Sequence, residues 1–245
     1  MTVAQNAWPL PPMPYLDALS VALERARSAN RESLPAAGKI VEKTVAGGGI
    51  VYVFGSGHSQ LAALELNQRA GSIAALQVIF DPTWGAAEHL AGYGETLLRH
   101  EAPGPEDCLI VISHSGVTAA AIDIARRART VGSPVVAVMS LRAFTKCSGR
   151  LSPGSGLVDL ADVVLDNGTG ESDPGIGVEG LTAFVGPTST VVSAALMHQL
   201  VVDAVQRLAV RGLEAPVLRP NLEDGAKEHN DRLRDIYKGR TRRVP

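Results

Sequence analysis

From Tyr15 onward, apolar residues recur three or four apart at Leu16, Leu19, Leu23 and Ala26, with Glu24, Arg25 and Arg27 on the other faces. That is the period of an amphipathic helix. A second helix is predicted over residues 34–46. Pro35 falls in its first turn, where a missing N–H costs nothing, and the glycines at 47–49 end it. There the period changes. Residues 50–54 are a continuous run of β-branched and aromatic side chains bounded by glycine, the pattern of a strand buried on both faces. Similar runs recur at 75–80, 108–112, 134–139 and 162–165, separated by helical stretches at 59–70, 85–99, 117–131 and 141–147. After a glycine-rich loop over 168–186, one long helix is predicted over 188–211, followed by a polar segment from 216 to 245.

Alternation of buried strands with helices predicts a three-layer α/β fold, a five-stranded parallel sheet covered on both faces. The chain of 245 residues, 45% apolar, can bury one large core. It reads as one domain. Residues 1–47 supply a proline-rich irregular arm (1–14) and two helices, residues 48–213 the core, and residues 214–245 a tail. Lysine plus arginine (23) nearly balance aspartate plus glutamate (25), a charge unlike that of a protein built to coat nucleic acid. Seven of the lysines and arginines lie beyond residue 226, against three acids there, which reads as a solvated basic end. Cys108 and Cys147 provide neither a disulfide framework nor a CxxC motif. The first basic residue is Arg25, so no charged-then-apolar leader is expected, and the apolar runs fall short of the ~20 residues that span a bilayer. A cytoplasmic protein with reduced thiols, without nucleic-acid or membrane partners, is expected.

In an open parallel sheet, ligands bind beyond the carboxyl ends of the strands. Two such ends carry unusual loops. The first predicted strand runs into Gly55-Ser56-Gly57-His58-Ser59, and the third into Ser113-His114-Ser115-Gly116-Val117-Thr118; each opens a helix. Backbone N–H groups at a helix start, with small hydroxyl side chains around them, suit a phosphate. The competing reading is that Ser59 and Ser115 are helix caps and nothing more. No GxxxxGK[ST], GxSxG or HExxH stretch occurs. Gln60 stands where a dinucleotide fingerprint needs a third glycine, although Asp81, after the second strand, keeps a nucleotide reading open. No cofactor and no metal are expected, because His58, His89 and His114 show no ligand spacing.

The Ser113-x-Ser115-Gly116-x-Thr118 element, with the Gly55–Ser59 turn upstream, resembles the sugar isomerase (SIS) domain, and the likeness extends over roughly residues 34–212. The ending, from Pro216 through Asn221 to Glu228-His229-Asn230, is similar to that of single-domain proteins related to phosphoheptose isomerase. The resemblance implies a flavodoxin-like arrangement of the sheet, a homodimer and a phosphorylated sugar as ligand. It implies that Ser113, Ser115 and Thr118 hold the phosphate, and that Ser56 and Ser59 hold sugar or phosphate. Gly55, Gly57, His114, Gly116 and Ser189 belong to the same expected binding set.

Moving a carbonyl between neighbouring carbons through an enediol needs a base and an acid. Glu65 is expected about 10 Å along the helix that follows the first loop, a suitable reach for a base acting on a sugar held by its phosphate. The phosphoheptose isomerases to which it is similar use a helix carboxylate there and a histidine on the last helix, which here is His198. On its own, His198 in an apolar stretch reads equally as a packed core residue. His58, inside the first loop, is the acid that position favours. Glu88-His89-x-x-Gly92-Tyr93 resembles a Glu-Arg-x-x-Gly-Tyr element of such proteins, with histidine replacing the permanent arginine charge. An aldose–ketose isomerase is the leading expectation. A phosphosugar sensor without chemistry, or a phosphosugar lyase or etherase, is the alternative.

Overall fold

The computed structural model of the chain describes residues 13–99 and 101–241, so the proline-rich arm, Arg242 and Arg243 lie almost wholly outside it. Five parallel strands, β1 (Val51–Gly55), β2 (Leu76–Ile79), β3 (Cys108–Ile112), β4 (Val135–Met139) and β5 (Val163–Asp166), form one sheet in the order β2-β1-β3-β4-β5. This is the expected flavodoxin-like order, in which the direction of strand addition reverses beside β1. Register brings Gly55 level with Ile112, so β1 and β3 end side by side. β1 to β4 are buried along their length, as their apolar runs demanded. β5, at the sheet edge, is half-exposed.

Helices α1 (Pro14–Ala29), α2 (Ser33–Ala46), α3 (Ser59–Leu64) and α8 (Ser189–Val210) cluster together, with α8 packed on the other three. The opposite face carries α4 (Tyr93–Leu97), α5 (Ala119–Thr130) and α7 (Leu157–Leu160); α6 (Leu141–Cys147) follows β4. The buried stripe of α8 runs through Val192, Leu196, Met197, Leu200, Ala204 and Leu208. His198 lies off that stripe.

Two expected helices are shorter than their patterns. The one over 59–70 stops at Leu64: Gln68 and Gly71 adopt left-handed backbone, and Gly71 N–H and Ala74 N–H donate to Leu218 and Pro216 instead of continuing the helix. The one over 85–99 is reduced to α4. The carboxylate of Asp81 takes the N–H groups of Thr83 and Gly85, which winds residues 82–92 into turns. The polar C-terminal segment holds a helix that its pattern did not predict, α9 (Ala226–Ile236), seated by buried Ala226, Asn230 and Leu233. Asn230 bonds both N–H and C=O of Arg219, at 2.8 and 2.9 Å, in the manner of a neighbouring strand. Arg240 then reaches Asp107 at 2.6 Å, anchoring the end of the chain at the start of β3.

Asn30, in the bend between α1 and α2, ties these helices to the sheet edge. Its amide donates to the carbonyls of Ala26 (2.6 Å) and Asp166 (2.7 Å) and accepts from the N–H of Asp166 (2.9 Å). Removing it strands polar backbone groups of β5 in a buried setting. The Asn30→Ala variant is expected to lose about 3 kcal/mol of stability, seen as a lower urea midpoint at unchanged slope.

Candidate functional site

The first loop turns back on itself more tightly than any residue with a Cβ allows. A Cβ on Gly55 would lie 2.6 Å from the backbone of Ser59. The turn buries Ser56, whose hydroxyl donates to the carboxylate of Glu88. Ser59 is half-buried in the first turn of α3, while His58 is exposed and makes no side-chain hydrogen bond among the described residues.

The second loop closes on Ser113, whose Oγ accepts from Gly116 N–H at 3.2 Å. Gly116 has φ +66°, and a Cβ there would stand 2.3 Å from Cε of Met139. Thr118 precedes α5 with extended backbone, the place of a capping residue, yet its side chain caps nothing. Its Oγ1 is buried and meets no partner among the described residues, in a residue only 8% exposed. Ser59 and Ser115 cap nothing either. Ser140 shows what a capping serine does in this chain: its Oγ accepts from Ala143 N–H at 3.1 Å, at the start of α6. The hydroxyls of the two loops are therefore not spent on helix ends, and the cap-only reading does not hold.

The two loops meet. Ser59 and His114 line one narrow cleft, too tight to admit a water molecule, together with Ile112, Asn167, Ser189, Thr190 and Ser193. Burial holds the His114 imidazole below the ordinary histidine range, and the Asp173 carboxylate pulls in the opposite direction. Asp173 itself accepts from the N–H groups of Thr188 (2.7 Å) and Ser189 (3.2 Å), occupying the N-terminus of α8. Asn167, Thr169, Asp173 and Ser193 were missed in the sequence. The signal available was that Asn167-Gly168-Thr169 follows a strand, as the two recognised loops do.

Glu65 and His198, 133 residues apart, face each other with Oε1 and Nε2 separated by 3.4 Å. Glu65 stands at the C-terminal end of α3 rather than within a longer helix, and also accepts from Arg69. Both members of the pair are open to solvent, with side chains 39% and 43% exposed, so His198 is not a packed core residue. The rise of an α-helix sets Glu65 about 9 Å along α3 from Ser59.

The Glu88–Tyr93 element serves the first loop. Glu88 holds Ser56, and Tyr93 donates to Asp81 at 2.6 Å. Burial alone raises the Asp81 carboxyl, but hydrogen bonds from Tyr93, Thr83 and Gly85 outweigh it and leave the group below its usual range. With both oxygens engaged in its own loop, Asp81 has no free edge for a ribose. His89 sits 3.5 Å from Glu88 and is largely exposed. His229 and Asn230 bond to Val217 and Arg219 of their own chain. Among the described residues no three histidine, cysteine or carboxylate side chains gather to hold a metal ion, and no helix is long and apolar enough to cross a membrane.

Comparison with known proteins agrees with this fold. The SIS domain model matches residues 14–140. A UPF0309 protein of Streptomyces griseus is 34% identical over 237 residues, covering 92% of this chain and 94% of the relative. The UPF0309 protein lmo0025 of Listeria monocytogenes is 32% identical over 226 residues, covering 92% and 97%. Among solved structures, a phosphoheptose isomerase from Francisella tularensis superposes with a TM-score of 0.52 at 15% identity, over 79% of this chain and 95% of that one. A phosphoheptose isomerase from Neisseria gonorrhoeae gives 0.51 at 17%, over 79% and 96%. At such identities these two structures show a shared fold. On the matched domain and on relatives aligned along nearly its whole length, the chain belongs to the SIS domain family.

Proposed function

We propose that this protein binds a phosphorylated sugar across the carboxyl ends of β1 and β3 and interconverts its aldose and ketose forms through an enediol. The observation that carries the reading is the meeting of the two loops through Ser59 and His114, with serines and a threonine around them that keep their hydroxyls off the helix ends. A phosphate dianion there takes backbone N–H groups at the starts of α3 and α5 and hydroxyls of Ser59, Ser113, Ser115 and Thr118, while Ser56, whose hydrogen goes to Glu88, shapes the first loop. The orphaned Thr118 Oγ1 fits a group that is completed by the ligand. The relatives solved as phosphoheptose isomerases support the substrate class.

Glu65 is the base in this scheme. Its carboxylate takes the proton from the carbon next to the carbonyl, and the carbonyl oxygen is protonated as the enediol forms. Returning the proton to the former carbonyl carbon, while the other enediol hydroxyl gives up its proton to become the new carbonyl, completes the shift with no net change in oxidation or in protons. His198, against Glu65 Oε1, orients the carboxylate and exchanges protons with it. His58, exposed in the first loop, assists ring opening in this scheme. Apolar side chains exposed on α1, Leu16, Val21 and Leu23, favour a homodimer that covers them.

The Glu65→Gln variant is expected to lose 10²–10⁴-fold in kcat, on the order of a lost general base, while keeping its affinity for sugar phosphate. Unchanged turnover in an isomerisation assay removes Glu65 as the base. Tight binding without turnover by the unaltered protein on every phosphosugar tried favours a sensor. The Thr118→Val variant separates structure from function in a different way. Its melting temperature is expected to hold or rise, because a buried unpaired hydroxyl is lost, while phosphosugar affinity falls roughly tenfold by calorimetry. Light scattering is expected to give twice the chain mass, reverting to the single-chain mass in Leu16→Glu/Val21→Glu.

A further inference from the structure

His114 stands at the centre of a hydrogen-bonded chain that nothing in the proposed isomerisation uses. The hydroxyl of Thr169 lies 2.6 Å from Oδ1 of Asn167 and 3.4 Å from Nδ1 of His114. A hydroxyl has one hydrogen to give, and the shorter contact takes it. Asn167 is fixed in that sense, since the same Oδ1 also accepts from Thr169 N–H and its amide nitrogen faces Ser193 Oγ at 3.5 Å. Thr169 Oγ1 is then left as an acceptor, and the hydrogen between it and the imidazole belongs to Nδ1. A neutral histidine with its proton on Nδ1 has a bare lone pair on Nε2. Nε2 of His114 is buried and meets no donor among the described residues.

The geometry of this chain is rigid. Ser140, itself fully buried, donates its N–H to the carbonyl of His114 at 2.9 Å and its hydroxyl to the carbonyl of Thr169 at 3.1 Å. One residue thus rivets both backbones. Burial favours the neutral imidazole, and Asp173 is the acid whose charge opposes that effect. The other side chains of the cleft, Ser59, Ser189, Thr190 and Ser193, are uncharged.

We propose that His114 is a specificity-determining residue whose bare Nε2 accepts a hydrogen bond from a ligand hydroxyl, and that Thr169 and Asn167 position it by fixing its tautomer. A lone pair repels the oxygens of a dianion. His114 therefore faces the carbohydrate end of the ligand, although it sits inside a loop that otherwise offers donors to phosphate. A sugar hydroxyl completes the unpaired acceptor; the oxygens of a phosphate monoester dianion, which carry no hydrogen, do not. This rests on the phosphosugar reading of the site.

The test has two arms on the full-length protein. Long-range nitrogen-15 correlation spectra of the imidazoles are expected to show His114 protonated at Nδ1 alone, and to lose that uniformity in Thr169→Val. Calorimetry with inorganic phosphate and with a panel of pentose, hexose and heptose phosphates reads the binding. In His114→Phe the best sugar phosphate of the panel is expected to weaken roughly tenfold, with inorganic phosphate unchanged. Thr169→Val, nearly isosteric, is expected to give the same selective loss and keeps the test open where His114→Phe does not fold. A proton on Nε2 in the free protein overturns the proposal. So does an equal loss for phosphate and sugar phosphate, or no loss for either, with the phosphosugar reading itself intact. Binding of neither probe by the unaltered protein is the distinct outcome that overturns that reading and this inference together.

Discussion

Two neighbouring parallel strands that end level with each other are the constraint on which the rest depends. The pairing of Gly55 with Ile112 makes two segments leave the sheet at one height, and each turns through a short loop into a helix whose first N–H groups have no partner in the helix. At a reversal of strand order, the two helices that follow are drawn to opposite faces, which opens a crevice between the loops. Gly55 and Gly116 let each loop fold closely enough to present its backbone to that crevice. The sheet is the frame, and the loops, whose hydroxyls are kept off the helix ends, are what it holds up.

Around this frame the structure separates groups that are satisfied from groups that are not. Asp81, although buried, is fully engaged by Thr83, Gly85 and Tyr93; Asp107 is engaged by Ile50, Gly104 and Arg240. Asp173 is spent on the start of α8. These acids are structural, each answering N–H groups that a turn or a helix leaves open. Thr118 Oγ1 and His114 Nε2 are of the other kind, buried at the loop that begins α5 and answered by nothing among the described residues. A protein carries an orphaned polar group at a cost on the order of 1–3 kcal/mol, which a ligand offsets when it binds.

The sheet was legible in the sequence because buried strands write themselves as unbroken apolar runs, and all five runs became strands. The two loops were legible for the same reason, since they follow those runs directly. What the pattern hid was decided by side chains acting over distance. Residues 82–92 have the composition of a helix but are wound into turns by the carboxylate of Asp81. α9 has too little apolar surface to announce itself, and is seated through Asn230 bonding to Arg219. Asn167, in the wall of the cleft, and Thr169 beside it follow the edge strand β5, whose short and half-exposed run gave little emphasis to the loop after it. The Glu65–His198 contact needs tertiary structure to be seen at all, because the chain between them contains four of the five strands.

The most direct measurement is the position of the phosphorus atom in crystals grown with a sugar phosphate that the protein binds. If the two loops form one anion site, phosphorus lies between them, with phosphate oxygens within hydrogen-bond reach of groups in both residues 55–59 and residues 113–118. A phosphorus atom held by one loop alone, or found away from the ends of β1 and β3, contradicts it.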